Sequence, residues 1–159
     1  MLGLAGLLHD IGKVGIPDAI LQKPARLTPD EWDVMRRHSI IGADVVTRVP
    51  ALRSIVPIIR GHHERWDGAG YPDRLAAEEI PVGARIVAVV DAFFAMISDR
   101  PYRQGQSYDW ARAELRRCAG TQFDPSIVTA FLALPPSNDS AVRPPVDLPT
   151  VRGSTMSVD

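Results

Sequence analysis

Apolar residues recur at helical spacing along most of the first 134 positions, and no stretch alternates with the two-residue period of a strand. Leu4, Leu7 and Leu8 place residues 1 to 10 at the end of a helix that stops near Gly12 and Gly15. A short link containing Pro17 and Pro24 follows. Thr28, Pro29 and Glu31 then supply a capping hydroxyl, a proline at the first helical position and the glutamate of a capping box, so a helix is predicted from there to about Arg48. Ile55, Ile58 and Ile59 predict another, with Pro57 tolerable in its first turns, ending around His62 and His63. From Pro81 onward, Ile86, Val89, Val90, Phe93, Phe94 and Ile97 give the clearest amphipathic helix of the chain. Ser107 can cap a helix through Cys118 that closes on Gly120. Asp124 and Pro125 open a last one ending near Leu134.

The expected fold class is therefore all-α, in one domain over residues 1–134. Residues 135–159 lose apolar periodicity and gain prolines and serines, which predicts a disordered tail unable to offset its ordering entropy.

Charge narrows the candidate functions. Lys+Arg number 18 against Asp+Glu 19, a net charge of -1, so no bulk basic field would hold a nucleic-acid polymer or an anionic membrane, and any phosphate binding must be local. No apolar run is long enough to span a bilayer, and Asp10 and Lys13 interrupt the N-terminal stretch too early for a signal peptide. With Cys118 as the single cysteine, no internal disulfide can form, and a reduced cytoplasmic setting with Cys118 in a packing role is the expectation.

The chain has four histidines, His9, His38, His62 and His63, each at or near a helical segment. His38 shares a stripe with Val34, Ile41 and Val45, and His62 one with Ile55, Ile58 and Ile59, so both imidazoles should point inward. A single inward histidine is usually a core residue satisfied by a backbone carbonyl. Four of them, with Asp10 and Asp91, make a ligand set for divalent ions such as Fe, Mn or Zn, and exceed the needs of one tetrahedral site. Lys13, three residues after Asp10, offers a point charge for a phosphate, against the alternative of a solvated lysine. Gly12 beside it suggests close approach by a ligand. Glu64 and Asp67 are read as shaping a loop and pairing on the surface with Arg65 or Arg74, and Gly68 and Gly70 as permitting a tight turn.

Taken in order, GLLHDIGKVGIPDAILQKPARLTPDEW, HHERWDGAGYP, IPVGARIVAVVDAFFAMISDRPYR and GTQFDP resemble the HD-GYP subgroup of the HD phosphohydrolase superfamily across residues 1 to about 134. The resemblance implies an HD-domain helical bundle around two or three divalent ions, commonly iron or manganese, that hydrolyses cyclic di-GMP to pGpG or GMP in second-messenger signalling. It implies that His9, Asp10, His38, His62, His63 and Asp91 are metal ligands, with Asp10 bridging, and that Lys13 contacts the scissile phosphate. Tyr71, Arg100 and Arg103 then contact substrate, the arginines suiting the second phosphate and guanine edges or faces. Two ions activate a water and stabilise the leaving oxygen, so no protein nucleophile is required. A diguanylate cyclase (GGDEF) partner and a homodimer are compatible with the resemblance.

The chain departs from the family pattern at three places. Family members carry further helices before HDIGK that add a histidine to the metals, so the N-terminus is expected to be truncated. Phe94 stands where a second aspartate is usual, which would weaken hydrogen-bonded support of the ligands. The stretch around Ala76 and Ala77 lacks the customary glycine. These departures motivate two alternatives: an inactive HD-GYP module that binds nucleotide or a cyclase partner, and an HD hydrolase of another nucleotide.

Overall fold

A computed structural model describes residues 1–99 and 104–135. It is helical, with no strand among these residues and a single isolated bridge between Ala119 and Phe123. The α-helices are α1 (Leu2–Leu8), α2 (Asp18–Leu21), α3 (Pro29–Arg36), α4 (His38–Thr47), α5 (Val56–Gly61), α6 (Val82–Ile97), α7 (Tyr108–Arg117) and α8 (Pro125–Ala133). Tight 3-10 turns cover Ile11–Gly15, Pro50–Ile55 and Ala77–Glu79. No helix among the described residues is long and apolar enough to cross a membrane. Arg100, Arg103 and the expected tail beyond Pro135 lie outside the described residues.

The capping residues behave as their chemistry requires. Thr28 Oγ1 accepts from the Glu31 amide at 3.3 Å while the Glu31 carboxylate accepts from the Thr28 amide at 2.7 Å, the reciprocal capping box. Ser107 Oγ accepts from the Trp110 amide, and Asp124 Oδ1 from those of Ser126 and Ile127, opening α7 and α8. Asp124 is also ion-paired with Arg85 at 2.7 Å, which ties the start of α8 to α6.

Three expectations are corrected. The helix predicted from Thr28 to Arg48 is divided at Arg37, whose amide donates to the carbonyl three residues back, Val34 O, at 3.1 Å. The divide coincides with side chains taking up backbone carbonyls: His38 Nδ1 donates to Met35 O and Ser39 Oγ to Arg36 O. The link between Gly15 and Thr28 contains the one-turn helix α2. In α1 the leucines do not define the buried face, since Leu4 and Leu7 are exposed and Ala5 is fully buried.

Two apolar clusters flank the bundle. Ala5, Val46, Ile55 and Ile59 join α1, α4 and α5. Val89, Phe93, Met96, Ala111, Leu115, Cys118, Phe123 and Val128 join α6, α7 and α8, with Phe93 edge-on to Tyr108 and Phe131. Cys118 takes the packing role expected of it. Helix α6 thus buries its Ala84, Val89, Phe93 and Met96 positions, while Ile86, Val90, Phe94 and Ile97 of the sequence template are only partly covered. The buried face of α4 is likewise turned from the predicted stripe, through His38, Ser39, Gly42 and Val46, and Val45 is exposed.

Candidate metal centre

The polar seam between these clusters gathers all four histidines. His9 ends α1, Asp10 opens the following 3-10 turn, His38 begins α4, His62 and His63 leave the end of α5, and Asp91 lies on α6. Gly12 makes the gathering possible. A Cβ there would lie 1.9 Å from His38 O and 2.4 Å from the Gly42 amide nitrogen, so the backbone after Asp10 rests directly against α4. The close approach expected at Gly12 is therefore by α4 rather than by a ligand.

Three imidazoles are fixed in the same way. His9 Nδ1 lies 2.7 Å from Gly6 O, His38 Nδ1 2.8 Å from Met35 O and His62 Nδ1 2.6 Å from Ile59 O, in each case the carbonyl three residues earlier. A carbonyl only accepts, so the proton must sit on Nδ1 and, in the neutral ring, Nε2 is left as a lone pair. Nε2 of His38 and Nε2 of His62 lie 3.4 Å apart. Two buried lone pairs at that distance repel each other, and a shared electrophile relieves the repulsion.

Asp10 completes that arrangement. Its Oδ1 lies 3.5 Å from His38 Nε2, while its Oδ2 lies 3.4 Å from His9 Nε2 and 2.5 Å from Lys13 Nζ. The two carboxylate oxygens face different histidines, as a bridging ligand requires. Ligand atoms of Asp10, His38, His62 and His63 fall within 4.8 Å of one another, and on the flank His9 Nε2 lies 3.6 Å from Asp91 Oδ1. The donor set, three or more imidazoles with carboxylates and no thiolate, fits divalent transition metals, so the residues present suit the group that the resemblance implied.

Protonation follows position. Burial pushes His62 down to about 4 and His63 well below its usual value, and lowers His38 despite its backbone bond to Met35. These three rings are neutral at pH 7, the form that binds metal. Burial also opposes charge on His9, but the carboxylates of Asp10 and Asp91 outweigh it and raise His9 to about 10. Burial works against the Asp10 carboxylate too, and His9 and Lys13 nonetheless hold it far below the carboxylate range. Without metal, the His9 imidazolium supplies positive charge beside the two acids.

Tyr71 stacks on His63 with ring centroids 4.8 Å apart at 25°, and burial raises its hydroxyl pKa. The loop carrying it is packed tightly. Gly68 has φ +76, and a Cβ on Gly70 would lie 2.3 Å from the Arg65 amide nitrogen, so both glycines serve the turn as expected. Asp67 pairs with Arg65, also as expected. Glu64 does not sit at the surface: it is 4% exposed and accepts from the Asp73 amide at 2.6 Å, holding the loop from inside. A glutamate in a run of polar residues carries no local sign of such burial. Arg36 and Arg37, immediately before His38, carry no weight in the sequence analysis, although a basic pair beside a candidate ligand histidine is a usable signal. Phe94, at the position of the usual aspartate, lies edge-on to Phe93 at 5.7 Å and packs against the α6–α8 cluster.

Comparisons with known proteins identify the family of this fold. A family model described as HD domain matches residues 1–127. The chain is 47% identical over 132 residues to a cyclic di-GMP phosphodiesterase of Thermotoga maritima, covering 82% of this chain and 36% of that protein. It is 48% identical over 136 residues to a cyclic di-GMP phosphodiesterase of Pseudomonas aeruginosa, covering 82% and 31%. The chain thus spans about a third of the length of these relatives. Among solved structures, an HDGYP protein from Bdellovibrio bacteriovorus superposes with a TM-score of 0.61 at 22% identity, over 80% of this chain and 40% of that one, which supports the fold. With the HDIGK and HHERWDGAGYP segments meeting at one partly buried histidine and carboxylate cluster, the chain belongs to the HD domain family.

Proposed function

We infer that this domain hydrolyses cyclic di-GMP to pGpG or GMP in the cytoplasm, using two or three divalent ions, iron or manganese. The observation that carries the reading is the facing pair of His38 and His62 Nε2 lone pairs, 3.4 Å apart, with Asp10 directing one oxygen to this pair's side and the other to His9. The relatives from Thermotoga maritima and Pseudomonas aeruginosa, both cyclic di-GMP phosphodiesterases, support the choice of substrate.

In this reading His38, His62, His63 and Asp10, with His9 and Asp91 on the flank, would hold the ions. Bound there, the ions supply Lewis-acid polarisation of phosphoryl oxygens and a water nucleophile at neutral pH. Lys13, paired with Asp10 at the mouth of the site, turns its charge to the scissile phosphate when substrate arrives. Tyr71 fixes His63 from its solvent side and offers its hydroxyl to substrate. Arg100 and Arg103 contribute further substrate contacts.

The test is anaerobic purification, elemental analysis of metal per protein, and a cyclic di-GMP hydrolysis assay on the same sample. Close to two ions with turnover supports the reading. Metal without turnover, but with nucleotide binding, marks an inactive module. Turnover confined to mononucleotides shifts the assignment to another HD hydrolase.

A further inference from the structure

Beyond the metal centre, the described residues form one large open cleft, about 630 Å3, between the α3–α4 junction and the 68–74 loop. That volume lies within the range of about 300–1,000 Å3 typical of ligand pockets. Arg36, Arg37 and Arg74 line it, together with Asp33, Ile40 and Tyr71. Three guanidinium groups against one carboxylate make it strongly cationic in a chain whose net charge is -1.

The arginines are poorly committed elsewhere. Arg36 lies over the Tyr71 ring, 5.7 Å from its centroid, and only 3.5 Å from Asp33 in an exposed pair. Arg37 and Arg74 have no salt-bridge partner among the described residues, and all three are exposed. Arg74 is presented by a backbone at φ +57, an unfavourable conformation for a side-chain-bearing residue. The cleft also adjoins the histidine cluster, because Tyr71 lines it and stacks on His63.

A cyclic dinucleotide carries two phosphodiesters on one ring, and only one of them can lie against Asp10 and Lys13 at a time. We propose that Arg36, Arg37 and Arg74 form a subsite for the uncleaved phosphodiester, making them specificity-determining residues for cyclic dinucleotides. Planar guanidinium forks suit phosphate oxygens bidentately. This rests on the proposed function, since it presumes that a phosphodiester is cleaved at the histidine cluster.

The experiment compares wild type with Arg37→Gln, Arg74→Gln and the double variant, Mn-loaded, on cyclic di-GMP and on bis(p-nitrophenyl) phosphate, which has a single phosphodiester. Binding of cyclic di-GMP to the metal-free chain is measured by calorimetry alongside. The expected result is a fall of at least tenfold in the ratio of kcat/KM for cyclic di-GMP over bis(p-nitrophenyl) phosphate in the double variant. It comes with a matching rise in Kd, and with partial recovery in Arg37→Lys. An unchanged ratio and Kd overturn the subsite, as does an equal loss on both substrates, which would place the arginines in support of the fold. Wild type that cleaves bis(p-nitrophenyl) phosphate but neither binds nor cleaves cyclic di-GMP overturns the proposed substrate itself, and the subsite with it.

Discussion

His38 and His62 present their Nε2 atoms to each other at 3.4 Å while each gives its Nδ1 hydrogen to the carbonyl three residues before it. The helical backbone thereby sets the tautomer of both rings, and the site is arranged to receive a cation before one arrives. Manganese should raise the Tm of the chain relative to an EDTA-treated sample, by an amount that grows with free metal concentration. His62→Ala should remove most of that increment and lower metal content to about one ion per chain or less, with turnover down by about a hundredfold or more. Differential scanning fluorimetry, elemental analysis and the hydrolysis assay check the three parts. Full metal loading in His62→Ala would remove His62 from the ligand set.

The histidines also set how the metal-free chain responds to pH. His62, neutral in the fold down to about 4, takes up its proton more readily when unfolded, so stability falls as pH drops from about 6.5 towards 4. The change from this ring alone is roughly 3 kcal/mol. His9 has the opposite sign: raised to about 10, it contributes stability fully present below its unfolded value of about 6.5 and lost as pH rises towards 10. Urea denaturation in EDTA should therefore show greatest stability near neutral pH, with a decline on either side. His9→Gln should flatten the alkaline decline and leave the acidic one.

Metal binding at pH 7 should release close to one proton, because His9 must give up the one it holds between Asp10 and Asp91. Calorimetric titration of manganese in buffers of different ionisation enthalpy measures this directly. Zero net release would mean that His9 is already neutral in the metal-free chain.

Gly12→Ala should damage fold and site together. The added methyl would overlap the backbone of His38 and Gly42, in the helix that carries a candidate ligand. A loss of about 2–4 kcal/mol is expected, since neither backbone can move without opening the core around Val46 and Ile59. Metal content should fall with it. The neighbouring substitution Val14→Ala, at a side chain 78% exposed, should cost little and serves as the comparison.

Ala77→Gly should act in the other direction. Ala77 has φ +49, a left-handed conformation that costs a side-chain-bearing residue about 1–2 kcal/mol, and glycine adopts it freely. Against glycine's greater unfolded entropy, a net gain of about 0.5–1 kcal/mol in urea denaturation is expected. The absence of a glycine at this stretch was visible in the sequence, and the backbone angle gives it a physical meaning.

The helical class, the capped starts at Thr28, Ser107 and Asp124, and the choice of the four histidines with Asp10 and Asp91 as the candidate ligand set were all legible in the sequence. Caps, prolines and apolar periodicity act within one turn of the chain, and only four histidines were available to choose among. The sequence could not say that α3 and α4 divide at Arg37, that Ala5 rather than Leu4 and Leu7 is buried, or that Glu64 braces the Tyr71 loop from inside. Nor could it place Arg36, Arg37 and Arg74 around one cleft. Those outcomes depend on which surfaces meet across long stretches of chain. The Gly12 backbone against α4 and the His38 and His62 rings brought face to face from two helices are contacts that tertiary packing alone creates.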